Sequence, residues 1–274
     1  MPGEREQLYV RAREVLLDAL DALEPHLDRI VLIGAQAVYR HTQSAELAIA
    51  PFTQDADLAL DPRGLSADPL IEGCLNAAGF VQGVSRQPGC WFGREGVEVD
   101  LMVPATLAGD GRRSADIPPH DRFAARSAHG IEAVLVDNEW HEIPSLVPGN
   151  VRGHRVRVAG PAALLVAKSI KLSERAAGAA TRLEHKDALD IYRLLLATET
   201  AMLSRKLLAL LAEELTRATT TAALVALELL FDVPGNIGEV CLRAALDGSE
   251  HADVAPVQAR LLVRRLISEV RASQ

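Results

Sequence analysis

The stretch TQDADLAL at residues 53–60 decides how the first half of this chain folds. Apolar residues surround its two acids, which is typical of a buried strand and not of a polar loop. Side chains alternate faces along a strand, so Asp55 and Asp57 point the same way, separated by roughly 7 Å of backbone rise. Two carboxylates on one strand face at this spacing can hold a divalent cation from two sides.

Two neighbouring segments predict the elements around this strand. Residues 29–33, RIVLI, predict a buried strand that ends at Gly34 and is followed by a helix start over residues 35–41. Residues 97–103, VEVDLMV, predict a further strand with Asp100 on the face opposite Val97 and Val99. If that strand lies beside the first, Asp100 completes a three-carboxylate cluster, and hard oxygen ligands of this kind select Mg²⁺ or Mn²⁺.

The rest of the chain divides into two parts of different character. Up to about residue 150, short apolar runs alternate with Gly and Pro, and they include a predicted helix over residues 66–78 and a predicted hairpin over residues 131–143. After Gly160-Pro161 the pattern is almost entirely helical. We therefore predict an α/β (α+β) domain with a mixed sheet at residues 1–150 and an α-helical domain at residues 151–274, joined near residues 148–160.

Composition excludes several classes of protein. The net charge of −8 argues against a protein that coats nucleic acid, and no GxxxxGK[ST] loop is present. The three cysteines are far apart without a CxxC pair, which indicates neither a disulfide framework nor a zinc site. The N-terminus lacks a signal-peptide pattern and no apolar run is long enough to span a bilayer, so we expect a soluble cytoplasmic protein.

The order of these motifs resembles the polymerase-β-like nucleotidyltransferase superfamily. A strand ending in glycine, an Asp-x-Asp strand and an apolar strand carrying a third acid are shared over residues 29–104. The resemblance implies that Asp55, Asp57 and Asp100 are catalytic and bind Mg²⁺ or Mn²⁺, with Asp100 helping to deprotonate the acceptor hydroxyl. It also implies that Gly34 and Ala35 cradle the nucleotide triphosphate, although Ala35 stands where the superfamily usually has Gly or Ser.

A second motif lies in the helical half. Lys168 and Lys171 are three residues apart and share a helix face, and Asp187 and Asp190 share a face of the next helix. The pattern K-x-x-K, Arg182 and then KDxxDI resembles the AbiEii-type nucleotidyltransferase toxins. This resemblance implies nucleotide-binding roles for Lys168 or Lys171 and for Asp187, an NTP substrate, a tRNA acceptor and an antitoxin partner.

Several alternatives stay open at the level of sequence. A small-molecule, antibiotic-type nucleotidyltransferase shares the Asp-x-Asp core, and a catalytically inactive nucleotide-binding module would keep the same fold. The paired lysines and aspartates can also form an ordinary solvated helix face. Residues 112–126 form a local basic loop that either contacts RNA or is a plain surface loop. Residues 201–274 carry no functional motif.

Overall fold

The computed structural model describes residues 4–42, 53–83, 87–110, 113–178 and 185–273. They fall into two compact units that divide the chain between Ala159 and Gly160, except that Arg40 to Thr42 belong to the second unit. Among the described helices, none combines the length and the apolar content needed to cross a membrane.

The first unit is built on one mixed sheet. Its described strands are β1 (Ile30–Ile33), β2 (Asp55–Leu60), β3 (Val81–Gln82), β4 (Cys90–Phe92), β5 (Glu98–Pro104), β6 (Arg126–Ala128), β7 (Asn138–Pro144) and β8 (Gly153–Ala159). The strand order is β3-β4-β5-β2-β1-β8-β7, with β6 pairing on β5. β2 and β5 run parallel, β1 and β8 run parallel, and β1 and β2 run antiparallel. β1 is buried along its whole length, as expected for a strand in the middle of the sheet.

Three helices alternate with the first strands along the chain: α1 (Glu4–Ala22), α2 (Gly34–Thr42) and α3 (Ile71–Ala77). α1 packs against β2, β5 and β8. Its apolar stripe, represented by Leu16 and Leu20, is fully buried. The amphipathic pattern of α1 thus supplies one cover of the sheet.

The regular secondary structure described for the second unit is entirely helical. It contains α4 (Pro161–Ala177), α5 (His185–Ala197), α6 (Thr200–Ala212), α7 (Glu214–Phe231), α8 (Ile237–Ala245) and α9 (Val254–Ala272). α4 packs on α5 and α7, α5 packs on α8, and α6 packs on α7 and α9. Pro161 occupies the first turn of α4, where its missing N–H costs nothing. A mixed sheet followed by helices confirms the predicted fold class.

Three local predictions differ from the structure. The predicted helix over residues 66–78 begins only at Ile71, because Pro69 breaks the segment before it. Residues 131–136 do not form a strand; a 3₁₀ turn, Glu132–Leu135, stands there, and β7 pairs with β8 instead. β8 itself lies past residue 150, within the segment interpreted as the join, and it is a strand of the sheet beside β1.

Candidate functional site

The register between β2 and β5 places acidic side chains in two facing pairs. Asp55 lies opposite Glu98, and Asp57 lies opposite Asp100. Paired residues of neighbouring parallel strands share a face and are about 4.8 Å apart along the hydrogen-bonding direction. All four carboxylates therefore emerge from the same face of the sheet, where each is half-buried. Glu98 was not predicted as a site residue, although its alternation with Val97 and Val99 already placed it on this face.

Gly34 lies directly against the Asp57 carboxylate. Ile33, the last residue of β1, pairs with Asp57, and the chain then turns into α2. Gly34 has a φ of +68°, and a Cβ atom added there would lie 1.9 Å from Oδ2 of Asp57. Both the backbone conformation and the available space therefore require glycine. Ala35 follows in the first turn of α2 and is buried.

Asp55 is tied to α1 and α2 through a chain of hydrogen bonds. The Thr53 hydroxyl donates a short hydrogen bond to Oδ1 of Asp55. The Gln36 amide donates to the Asp55 carbonyl oxygen at 3.2 Å, and the Arg13 guanidinium in turn donates to Gln36 Oε1 at 2.8 Å. Arg13 and Gln36 are buried, so this polar chain holds β2 in place relative to the first turn of α2.

The carboxylate of Asp100 has more negatively than positively charged groups around it. Arg126, on β6, donates to Oδ2 of Asp100 at 2.7 Å. Within the described residues, the buried Oδ1 atom of Asp100 has no hydrogen-bond partner. Burial raises the pKa of Asp100, and the nearby carboxylates of Glu98 and Asp55 add to the rise, which outweighs the lowering by Arg126. A further cation at this carboxylate would relieve the deficit.

A cysteine adjoins the acids on the side of β4. Cys90 pairs with Asp100 in the β4–β5 register, and its thiol donates to Glu98 Oε1 at 3.1 Å. Ligand atoms of Cys90, Glu98 and Asp100 all lie within 4.8 Å of one another. Among the described residues, this is the group of three possible metal ligands whose ligand atoms lie so close together. The ligand atoms of Asp55, Asp57 and Asp100 do not all lie within 4.8 Å of one another. Burial, the Glu98 hydrogen bond and the neighbouring negative charges raise the pKa of Cys90 to about 12.

The lysine–aspartate motif forms a buried ion cluster between α4 and α5. Lys168 Nζ lies 3.0 Å from Asp187 Oδ1 and 2.7 Å from Asp190 Oδ2, and Arg175 also pairs with Asp187. Lys168 is 6% exposed, Asp187 is fully buried, and Asp190 is 2% exposed. Burial alone would raise the pKa of Asp187, but Lys168, Lys171 and Arg175 together hold it below its ordinary value. The alternative of an ordinary solvated helix face therefore does not hold at Lys168, which forms an interior ion pair, whereas Lys171 is partly exposed.

The predicted basic loop contains both a buried histidine and an exposed arginine. His120 is buried, where its Nδ1 accepts a hydrogen bond from the Ile71 backbone N–H at 3.2 Å. Its Nε2 lies 3.0 Å from the Ser66 carbonyl oxygen, so this histidine connects its own loop to the segment that contains Ser66 and Ile71. Arg122 is exposed and lies over the Phe123 ring. Arg112 and Arg182 lie outside the described residues.

Comparison with known proteins gives one family and one structural neighbour. A family model described as nucleotidyltransferase matches residues 12–215, which include the sheet and helices α4 to α6. The chain also matches the crystal structure of an antigenic nucleotidyltransferase-like protein from Paracoccidioides brasiliensis. The two share 18% sequence identity over 80% of this chain and 92% of that chain, with a TM-score of 0.38. No curated protein matches the chain.

Proposed function

We propose that this chain, which belongs to the nucleotidyltransferase family, modifies tRNA with the help of Mg²⁺ or Mn²⁺ as the toxin of a toxin–antitoxin pair. Membership of the family makes it an enzyme that transfers a nucleoside monophosphate from an NTP. The metal, the acceptor and the biological role are the proposed part. The proposal assigns catalysis to Asp55, Asp57 and Asp100, and nucleotide binding to Gly34, Ala35 and the α4–α5 motif.

The observation that carries the catalytic assignment is the shared face of β2 and β5. Four carboxylates there repel one another, and one of their oxygens, Oδ1 of Asp100, is buried without a donor among the described residues. Oxygen donors alone suit Mg²⁺ or Mn²⁺, so the donor chemistry of Asp55, Asp57 and Asp100 fits such an ion, although their ligand atoms do not all lie within 4.8 Å of one another. Divalent cations held there would supply positive charge for the triphosphate and make the acceptor hydroxyl more acidic.

The chain's own residues have three tasks in the transfer. The first turn of α2 offers backbone N–H groups at Gly34 and Ala35 to a phosphate, and the absence of a side chain at Gly34 lets the Asp57 carboxylate lie directly beside that turn. Asp100 accepts the proton of the acceptor hydroxyl. The acceptor oxygen then attacks the α-phosphorus, the bond from the α-phosphorus to the bridging oxygen breaks, and pyrophosphate leaves. The hydrogen-bonded chain from Arg13 through Gln36 keeps Asp55 in position throughout.

Of the two lysines in the α4–α5 motif, we assign the phosphate contact to Lys171. Lys168 already pairs with two buried carboxylates, whereas Lys171 is partly exposed one turn further along α4. In this assignment Lys168 and Asp187 are positioning residues that fix α4 against α5. Replacing Lys171 by alanine should weaken NTP binding about ten- to a hundred-fold, since a charge-assisted hydrogen bond contributes about 1.5–3 kcal/mol. Replacing the exposed Lys186 on α5 provides a charge-matched control.

The tRNA acceptor and the toxin role rest on sequence resemblance. The K-x-x-K and KDxxDI patterns lie on α4 and α5 as the AbiEii-type toxins have them on paired helices. The exposed Arg122 supports an RNA contact from the first unit. An antitoxin partner follows from the same resemblance.

Incubation with total RNA and each labelled NTP in the presence of Mg²⁺ tests the proposal. We expect a labelled band at the size of tRNA that depends on Mg²⁺ or Mn²⁺ and disappears with Asp57→Asn. Label that appears only on small hydroxylated compounds, aminoglycosides for example, would favour the small-molecule alternative. Failure to bind any NTP with Mg²⁺ present would refute the enzyme assignment in favour of an inactive module.

A further inference from the structure

We propose that Cys90, Glu98 and Asp100 form a second cation site for one thiophilic divalent ion such as Zn²⁺. We also propose that its occupation withdraws Asp100 from nucleotide transfer and so inhibits the enzyme. The second part rests on the proposed function, whereas the first part stands on the geometry of β4 and β5 alone.

The spacing of the three side chains suits a small tetrahedral ion. Cys90 and Asp100 are direct cross-strand partners, and Glu98 lies two residues from Asp100 on the same face. Zinc bonds of about 2.3 Å to sulfur and about 2.1 Å to oxygen place neighbouring ligands of a tetrahedron roughly 3.4–3.6 Å apart. The Cys90 sulfur and Glu98 Oε1 are already 3.1 Å apart, and all three ligand atoms lie within 4.8 Å of one another. Small side-chain rotations are therefore enough to close the site.

An independent observation points to a missing ligand at Asp100. Its Oδ1 atom is buried and has no hydrogen-bond donor in the described part of the chain, while Arg126 holds Oδ2. A buried carboxylate oxygen without a partner is costly, so buried polar atoms of this kind call for an explanation. A cation bound at Oδ1 of Asp100 would give this oxygen a partner without displacing Arg126.

The local charge also matches a dication. With Cys90 as thiolate, the three ligands carry three negative charges, and the neighbouring Arg126 carries one positive charge. The negative charge that Arg126 does not neutralise is balanced by one divalent ion. As the sulfur–metal bond forms, the thiol proton that now points at Glu98 leaves to solvent.

The donor set separates this site from the one on β2. A sulfur ligand favours Zn²⁺ and related ions, whereas Asp55 and Asp57 offer only oxygen and suit Mg²⁺ or Mn²⁺. Asp100 belongs to both groups. An ion bound through Cys90 would therefore occupy the carboxylate that the proposed transfer needs to accept the proton of the acceptor hydroxyl.

Titration of the full chain with Co²⁺ tests the site itself. We expect a thiolate-to-cobalt charge-transfer absorption that saturates at one Co²⁺ per chain and is reversed by Zn²⁺. Cys90→Ser should abolish the absorption, while Cys74→Ser, a matched change at the other cysteine of the same unit, and Asp55→Asn should leave it intact. No such absorption in the wild-type protein, or an unchanged one in Cys90→Ser, would overturn the proposal.

Two further measurements keep the outcome unambiguous. If Cys90→Ser does not fold, Glu98→Gln serves instead. Its Co²⁺ affinity should fall by about tenfold or more, since even changes to residues beyond the metal ligands cost that much. An unchanged Co²⁺ affinity would overturn the proposed site. In Mg²⁺-supported transfer, Zn²⁺ should inhibit the wild-type enzyme but require about tenfold or higher concentrations with Cys90→Ser. Equal inhibition of both proteins would overturn the withdrawal of Asp100. A chain that transfers nothing at all would refute the proposed function and leave the cobalt result standing.

Discussion

Replacing Gly34 by alanine is a direct test of the aspartate site. The added Cβ atom would lie 1.9 Å from Oδ2, 2.7 Å from Cγ and 2.8 Å from Cβ of Asp57. Ordinary contact begins near 3.4 Å, so the carboxylate oxygen must retreat by about 1.5 Å. Because Cβ of Asp57 is also too close, rotation of the side chain alone does not relieve the clash.

The expected effect on transfer is larger than the effect on stability. A reacting group misplaced by about 1 Å can cost about 100-fold in rate, so kcat/KM should fall about 100-fold or more, equivalent to roughly 2.7 kcal/mol. A side chain at the positive φ of residue 34 costs about 1–2 kcal/mol, which lowers Tm by about 2–8 °C. Mn²⁺ affinity, measured by isothermal titration calorimetry, should fall together with transfer.

Gly79→Ala provides the matched control. Gly79 has a φ of +85°, but an added Cβ atom would meet nothing within 4 Å. It should therefore lower Tm through the backbone strain alone, by no more than Gly34→Ala does, while leaving Mn²⁺ affinity and transfer unchanged. A Gly34→Ala protein with wild-type Mn²⁺ affinity and transfer would refute the assignment of Asp57. Equal losses of activity in the two variants would show that backbone strain, and not the aspartate, is responsible.

Three further predictions concern the acids and the ion cluster. Asp57→Asn should abolish transfer and leave the free energy of unfolding equal or slightly higher, because repulsion among the carboxylates falls; a large loss in chemical denaturation would indicate a structural role. Lys168→Ala should destabilise the protein by about 3–5 kcal/mol in urea unfolding, since it removes the partner of the buried Asp187, whereas Lys171→Ala should be nearly neutral. The pKa of Asp187 is lowered from 3.8, so the stability that its ionised form contributes is complete above pH 3.8 and is lost as the pH falls through the lower, folded pKa. This slope of unfolding free energy against pH should vanish in Asp187→Asn, and its persistence there would show that other groups cause it.

The sequence by itself determined the features that depend on local periodicity. The apolar run of β1 ending at Gly34, the alternation of β2 and β5, and the 3.6-residue period of the second unit all predicted elements that the structure contains. Alternation also fixed which side chains share a face of one strand, because that depends only on the pleat. The prediction of a strand at residues 131–136 was wrong, since a short apolar run fits a strand and a helical turn equally well.

Only the tertiary structure decided which faces meet. The β2–β5 ladder joins residues 43 positions apart, such as Asp57 and Asp100, and nothing local in either strand specifies that register. The same holds for Cys90 and Arg126, which reach Asp100 from two other strands. Lys168 illustrates the point in the second unit: helical spacing placed it on a face, but packing of α4 on α5 buried that face against Asp187. Periodicity reports the environment of a side chain along its own element, whereas its partner is fixed by contacts between distant segments that form only when the core closes.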